Sequence, residues 1–411
     1  MLFRAGQNME QTTLALLGRT VGLQAAGIGA VAAAGGVAAI LGTLVAGRAG
    51  LASVRKALAA GLWLMSASFP ILAAAHSVWL YTTGAVVAGF GGGLVFPSLT
   101  TSIGSSRLGA ARDRALATYT LALSVSLALG PLLEAAVLSW TSGAVRGTFL
   151  VFSVLPLTAV LLLAAHHASD SRRSSDSRRS RDGPREADPG SSGQAAGEAD
   201  RREEDRAGGF GDAAPWQGRL RSLAPFRLAV AALLVYQVPF VAIVVFGAIL
   251  AKDSYGLSPA LAQLAFTAFF VTSLTVRAAV VWASPVKHKW HLFVGATAVT
   301  VTGILLAATG GGAVTFYAAM VLLGVPHGLV YPLSLALVAE GVPKQGLARA
   351  NAAVAAVTGA VVVVAPGLLG VVAQRGGLRP MLLTTLVPVA LASVALVAAR
   401  PGAGKPAGAR L

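Results

Sequence analysis

Cysteine is absent from the 411 residues. That removes a disulfide framework, a thiol nucleophile and any cysteine metal centre. Charge is scarce as well: 12% of the chain is charged against 55% apolar, and mean hydropathy is +0.72. A soluble chain of this length could not cover its surface with so few charges. Short segments of alternating apolar and polar residues are missing, which excludes a transmembrane β-barrel. No nucleotide-binding motif occurs. Gly89, Gly91, Gly92 and Gly93 lie mid-span, with neither a preceding strand nor a following Lys-Ser/Thr, and read as packing residues rather than a phosphate loop. The six histidines lack metal-ligand spacing. Asparagine occurs only at Asn8 and Asn351, which together with the missing cysteine suggests a heat-adapted host, while low Lys and Glu argue the other way.

What the chain does have is apolar runs of 20 residues or more, long enough to cross about 30 Å of hydrocarbon at about 1.5 Å per residue. Eleven fall at 24–46, 57–76, 80–103, 115–138, 147–166, 226–251, 258–283, 291–310, 314–339, 347–373 and 380–399, and a shorter segment at 1–17 precedes them. The pattern predicts an all-α membrane protein with six spans, a polar linker, and six more. The net charge of +16 would suggest nucleic acid, but its location excludes that partner. Segment 168–222 carries 11 basic and 11 acidic residues and cancels, leaving 21 basic against 5 acidic elsewhere, mostly in short loops. With the N-terminus inside, 24 bases face the cytoplasm and 5 face outward, so both termini and the linker are expected to be cytoplasmic, in the plasma membrane.

An internal echo divides the chain. Residues 89–131 recur at 324–366 with a constant offset of 235, pairing Gly89 with Gly324, Gly93 with Gly328, Pro97 with Pro332, Arg114 with Arg349 and Pro131 with Pro366. Gly22–Leu23 falls against Gly256–Leu257 at offset 234. The chain therefore reads as a half at 1–166, a linker at 167–222 and a second half at 223–411. The linker is rich in Arg, Ser, Asp, Gly and Pro, so it is expected to be disordered, either a tether or an Arg-Ser segment for RNA or anionic lipid. The first span is short and interrupted by Arg4, Gln7, Asn8 and Glu10. Its repeat partner begins about eight residues before the position equivalent to Met1, so either the true first helix is longer or a half-helix enters from the surface.

Two six-helix halves in parallel repeat, joined by a long cytoplasmic loop, resemble the major facilitator superfamily over nearly the whole chain. Gly42, Leu44, Arg48 and Gly50 resemble that family's loop between helices 2 and 3, with Gly47 where the family carries an acid. Arg277 and the turn from Pro285 to Lys289 resemble the matching region of the second half. Ser126 through Gly130–Pro131 is similar to a segment of family exporters, with Glu134 and Ala135 replacing the paired glycines that follow. The resemblance implies a cavity lined by helices 1, 4, 7 and 10.

Polar groups in hydrocarbon are costly, so each needs a partner or a wet cavity. Arg4, Gln7, Asn8 and Gln11 follow helical spacing and share one face, either binding solute or gluing helices together. Gln237, mid-helix 7, joins Arg4, Asn8 and Gln11 as a substrate-binding candidate. His327 lies midway along helix 10, opposite Gly92 in the repeat, and is either a proton carrier or a neutral hydrogen-bonding group. Glu10 and Glu134 are the other protonation candidates, or headgroup contacts. Arg277 is expected to snorkel to the cytoplasmic face. Gly130–Pro131 and Pro366 are candidate bends, and Arg48, Gly50, Arg114 and Arg349 candidate gating or anchoring residues. The expected protein is a monomeric secondary transporter moving a small solute by alternating access, coupled to protons, with export suggested by helix 5. It uses no cofactor, metal or nucleic acid, and its partners are solute, protons and lipid. A facilitative uniporter is the alternative. An enzyme or receptor would want a cluster of His and acids at a membrane face or a folded soluble domain, and the sequence has neither.

Overall fold

The computed structural model describes residues 2–48, 51–105, 109–179, 224–283, 288–342 and 347–398. They form helices α1 (Leu2–Thr20), α2 (Ala25–Arg48), α3 (Leu51–Ala73), α4 (Val78–Ser105), α5 (Gly109–Trp140), α6 (Val145–Arg179), α7 (Ala224–Tyr255), α8 (Pro259–Trp282), α9 (Lys289–Thr309), α10 (Ala313–Gly341), α11 (Leu347–Gly376), α12 (Leu378–Thr384) and α13 (Leu386–Ala398). Eleven segments are long and apolar enough to cross a membrane, the last running through α12 and α13 together. The twelfth span is α1, whose polar face keeps it off that set. At 19 residues it extends about 28 Å, nearly the hydrocarbon thickness. It packs against α4, α5, α7 and α8, inside the bundle.

Local chemistry sets the breaks. Gly22 closes α1 and Gly256 closes α7, both at positive φ (83° and 64°), the left-handed conformation that glycine adopts without a Cβ penalty. They are the pair that the 234 offset aligns. Ser258 then caps α8, its hydroxyl accepting from the Leu261 N–H at 3.3 Å, with Pro259 at the first helical position. The last span is interrupted at Thr385 because Pro388 has no N–H to bond the Thr384 carbonyl.

The 235 offset has a packing cause. A Cβ added at Gly93 would overlap the backbone of Ala39, and one at Gly89 that of Gly35, so α4 lies against α2 main chain to main chain. In the second half Gly328 meets Ser273 and Gly324 meets Phe269, bringing α10 onto α8 in the same way. Adding 234 to 35 and 39 gives 269 and 273. The repeat thus preserves both sides of one contact, and glycine is retained where only its missing side chain permits it.

Residues 1–160 and 222–411 form one compact unit, and 161–221 a second. Within the first, α2 packs on α11 and α5 on α8, joining the halves. The described part of the second unit is the continuation of α6 through Arg179. This corrects the expectation of disorder from residue 167: no Gly or Pro lies between Pro156 and Gly183, so nothing stops the helix at the membrane edge. The remainder of the expected linker, 180–223, lies outside the described residues.

Candidate functional site

A cavity of about 320 Å³ lies between the halves, walled by α1, α2, α4 and α5 from one and α7, α8, α10 and α11 from the other. The spacing of Arg4, Gln7, Asn8 and Gln11 puts them on one face of α1, and all four line the cavity, with Glu10 beside them. Arg4 donates to the Gln7 side-chain oxygen. Asn8 is nearly buried, its Nδ2 donating to the Leu127 carbonyl of α5 at 2.6 Å, so this residue also fastens α1 to α5. Gln11 is exposed, and the buried Glu10 receives no hydrogen bond from any described residue. Gln7 fits because its partner on α4 is Gly92: a Cβ there would sit 2.6 Å from Gln7 Nε2.

At the position that the repeat equates with Gly92, α10 carries His327, which also lines the cavity. Its Nδ1 and the Ser273 hydroxyl of α8 share a 2.7 Å hydrogen bond. Phe240 stacks on the imidazole at 4.5 Å, with Phe269 at 5.2 Å, Phe270 at 5.9 Å and Tyr236 at 6.0 Å around it. The ring is therefore an aromatic-walled hydrogen-bonding group whose partner on α8 is fixed. Gln237, the fourth substrate-binding candidate, is buried in α7 and is not among the residues that line the cavity.

Glu134 does not reach a headgroup. It is fully buried, and its carboxylate accepts from the hydroxyls of Thr13 and, at 3.3 Å, Thr12 on α1. Gln263 of α8 donates to the Thr12 carbonyl at 3.4 Å, so a polar cluster joins α1, α5 and α8 at the seam between the halves. Arg277 likewise does not reach for the surface alone: its Nη1 donates to the Ser124 hydroxyl of α5 at 3.1 Å.

One end of the bundle is tied across the halves. Arg19 of α1 pairs with Asp253 of α7 at 3.2 Å, and the Ala26 N–H of α2 donates to Gln374 Oε1 of α11 at 3.3 Å. Gly29 and Gly370 let α2 and α11 approach closely along the same seam, Gly29 against the backbone of Pro366. Gly130 does the same for α5 and α1, where a Cβ would lie 2.8 Å from the Ala5 oxygen, and Pro131 is buried beside it. Arg48 is exposed at the end of α2. Gly50 and the side chains of Arg114 and Arg349 lie outside the described residues.

Thr12, Thr13, Ser124, Gln263, Ser273 and Phe240 were not singled out by the sequence, being ordinary for a helical span. The repeat held one signal: Gln263 stands where the first half has Gly29.

A bundle of twelve spanning helices in two repeated halves, with a partly polar cavity between them, defines a class of membrane transporters. The profile of the Major Facilitator Superfamily matches residues 1–250 and again 228–410. The chain belongs to that superfamily, a family of multi-pass membrane transporters, which implies a protein that is not an enzyme. Among solved structures it is similar to a bacterial homolog of the human lysosomal transporter Spinster, in an inward-facing and occupied conformation (12% identity, 97% of this chain and 94% of that chain, TM-score 0.68). A mutant of the peptide transporter POT (14%, 97% and 93%, TM-score 0.69) and the nucleoside transporter NupG (14%, 97% and 95%, TM-score 0.64) are also similar. At these identities the likeness is one of fold. No curated protein matches the chain.

Proposed function

We propose that the chain is a secondary active transporter that carries a small solute by alternating access and couples its movement to protons. One observation carries the reading: a cavity walled by both halves, polar along α1 and at His327 and apolar elsewhere, so that a rocking of one half on the other would present it to either side. Nucleoside and peptide transporters of the same fold support a small-molecule cargo. In this reading 1–166 and 223–411 are the halves, 167–222 is a cytoplasmic tether, and both termini are cytoplasmic in the plasma membrane. The Arg19–Asp253 end is then the outer one, shut in this conformation.

Arg4, Asn8 and Gln11 are the solute-contacting groups on α1. Glu10 is the first choice for the coupling proton, because its carboxyl group lines the cavity without a hydrogen-bonding partner on the described chain. Glu134 and His327 are both held by neighbouring hydroxyls. The test is transport in proteoliposomes under an imposed pH gradient, against a broad solute panel. Gradient-driven accumulation should disappear in Glu10→Gln while solute-for-solute exchange persists. Uptake in the unsubstituted protein that only equilibrates the solute and ignores the gradient would make it a uniporter. The same assay, run with opposite gradients, separates export from import.

A further inference from the structure

We infer that the α5–α8 seam holds a monovalent metal cation, sodium by its size, bound by the Glu134 carboxylate, the hydroxyls of Thr12 and Thr13 and the side-chain oxygen of Gln263. All four side chains are fully buried where α1, α5 and α8 meet, and none of them lines the cavity. Thr12 is the shared neighbour. Its hydroxyl lies 3.3 Å from Glu134 Oε2, and its carbonyl accepts from Gln263 Nε2 at 3.4 Å. Thr13, the next residue of α1, meets Glu134 Oε1.

This cluster has more oxygens than protons and no positive charge. A carboxylate inside a membrane protein needs a cation or a proton beside it. The ion pairs found among the described residues, Arg19–Asp253 and Lys289–Glu340, do not include Glu134. The Thr12 hydroxyl has one proton but three acceptors in reach: the Asn8 and Met9 carbonyls of its own helix, both at 3.1 Å, and Glu134 at 3.3 Å. When the proton goes to the nearer carbonyls, a lone pair faces the carboxylate. Gln263 Oε1 is buried with no hydrogen-bonding partner at all. One cation would satisfy these acceptors together.

Charge and distance select the ion. A single carboxylate balances a single positive charge, so a divalent ion would leave net charge buried. A cation of calcium's radius holds oxygens at about 2.3–2.6 Å, which places ligands at right angles about 3.3–3.7 Å apart. The 3.3 Å between Thr12 and Glu134 has that length, and it exceeds the usual O–H···O range of about 2.5–3.0 Å. Sodium has this radius, whereas potassium is larger. The repeat shows that helix packing does not require these groups: the equivalents of Thr12, Thr13, Glu134 and Gln263 are Phe246, Gly247, Leu369 and Gly29. Because the ion would touch α1 and α5 of one half and α8 of the other, its binding favours the arrangement in which this seam is closed.

Thermal unfolding of the full chain in neutral detergent provides the test, with sodium, potassium or choline chloride as the only salt and ionic strength held constant. Sodium should raise the unfolding temperature with saturation and bind at least about tenfold more tightly than potassium, with choline inert. Glu134→Gln should abolish the sodium response. Gln263→Leu should weaken sodium binding by about tenfold, the scale of one lost bond to a charged group. Should either variant fail to fold, Thr13→Val and Thr13→Ser repeat the test: valine should lose the response and serine, which keeps the hydroxyl, should retain it. Glu10→Gln removes the carboxyl group assigned to the coupling proton and should leave the sodium response intact, so failure of the proton reading and failure of this site are told apart. Equal effects of sodium, potassium and choline on the unsubstituted protein overturn the inference and leave Glu134 an acid that carries a proton. So does a sodium response that survives Glu134→Gln, or one that disappears in Glu10→Gln, which would put the ion in the cavity.

Discussion

Replacing Gly93 with alanine tests the fold and the repeat together. The added Cβ would sit 2.8 Å from the Ala39 carbonyl carbon and closer still to its oxygen. Ordinary contact begins near 3.4 Å, so α2 and α4 must part by at least 0.6 Å (3.4 − 2.8) along a contact that is backbone on both sides. No flexible side chain can absorb the overlap. Overpacking of this kind costs about 1–3 kcal/mol. Gly328→Ala should behave alike, since its Cβ would lie 3.0 Å from the Ser273 carbonyl carbon and the two sites are repeat equivalents. Gly295 on α9 is the control: nothing lies within 4 Å of its added Cβ, so alanine there should gain about 0.5–1 kcal/mol from helix propensity. The three variants are compared by SDS titration in mixed micelles, with unfolding followed by tryptophan fluorescence. A gap of about 1.5–4 kcal/mol between the interface variants and the control is expected. If Gly93→Ala and Gly328→Ala are as stable as Gly295→Ala, the backbone-to-backbone packing of α2–α4 and α8–α10 is wrong.

Two further expectations are simpler to check. Because native cysteine is absent, single cysteines at Ser53, Ser192 and Pro285 should label only from the cytoplasmic side of intact cells, and at Ala144 and Gly311 only from outside; external labelling of Ser192→Cys would invert the topology. The Arg19–Asp253 pair is 31% and 42% exposed, so it contributes at most about 1 kcal/mol, and Asp253→Asn should raise external labelling of a cavity cysteine at Gln11 by no more than about fivefold. A far larger rise would mean that this pair alone holds the outer end shut, and no rise would mean that the α2–α11 contact does so without it.

The spans, the repeat and the transporter class were legible because each rests on a signal spread over many residues. Apolar run length sets the helices, and a close-packing glycine leaves a mark that two halves keep at one offset. The polar face of α1 was legible for the same reason: Arg4, Gln7, Asn8 and Gln11 have a period, and they reach the cavity together. Single residues were harder. Gln237 and Gln263 look equivalent in sequence, each a lone amide within an apolar helix, yet one lies off the cavity wall and the other reaches Thr12 on α1. The difference is the rotation of each helix about its axis, which packing sets. Glu134 reads as an outer-end acid from its place near Trp140, but the hydroxyls that bury it come from Thr12 and Thr13, more than a hundred residues away. The extension of α6 through Arg179 was misread for another reason: composition marks where a chain cannot build a core, not where a helix already begun must end.

The two seams between the halves are related by the repeat, yet they are built from opposite materials. At the α2–α11 seam the contact is small residues and backbone, with Gly29 against Pro366 and Gly370 against Ala25. Its equivalent, α8 against α5, has Gln263 in place of Gly29, and Glu134 where α11 has Leu369. Thr12 and Thr13 of α1 are matched on α7 by Phe246 and Gly247. One seam is thus a close contact of small residues, apolar except for the Ala26–Gln374 bond at its end. The other carries a buried carboxylate, two hydroxyls, an amide and the Arg277–Ser124 bond. Hydrogen bonds are directional and leave costly unpaired groups when broken, whereas apolar contact is not directional. Any motion of one half on the other must therefore break or exchange several discrete side-chain bonds at the α5–α8 seam, whereas the α2–α11 seam has the single Ala26–Gln374 bond at one end and otherwise repacks.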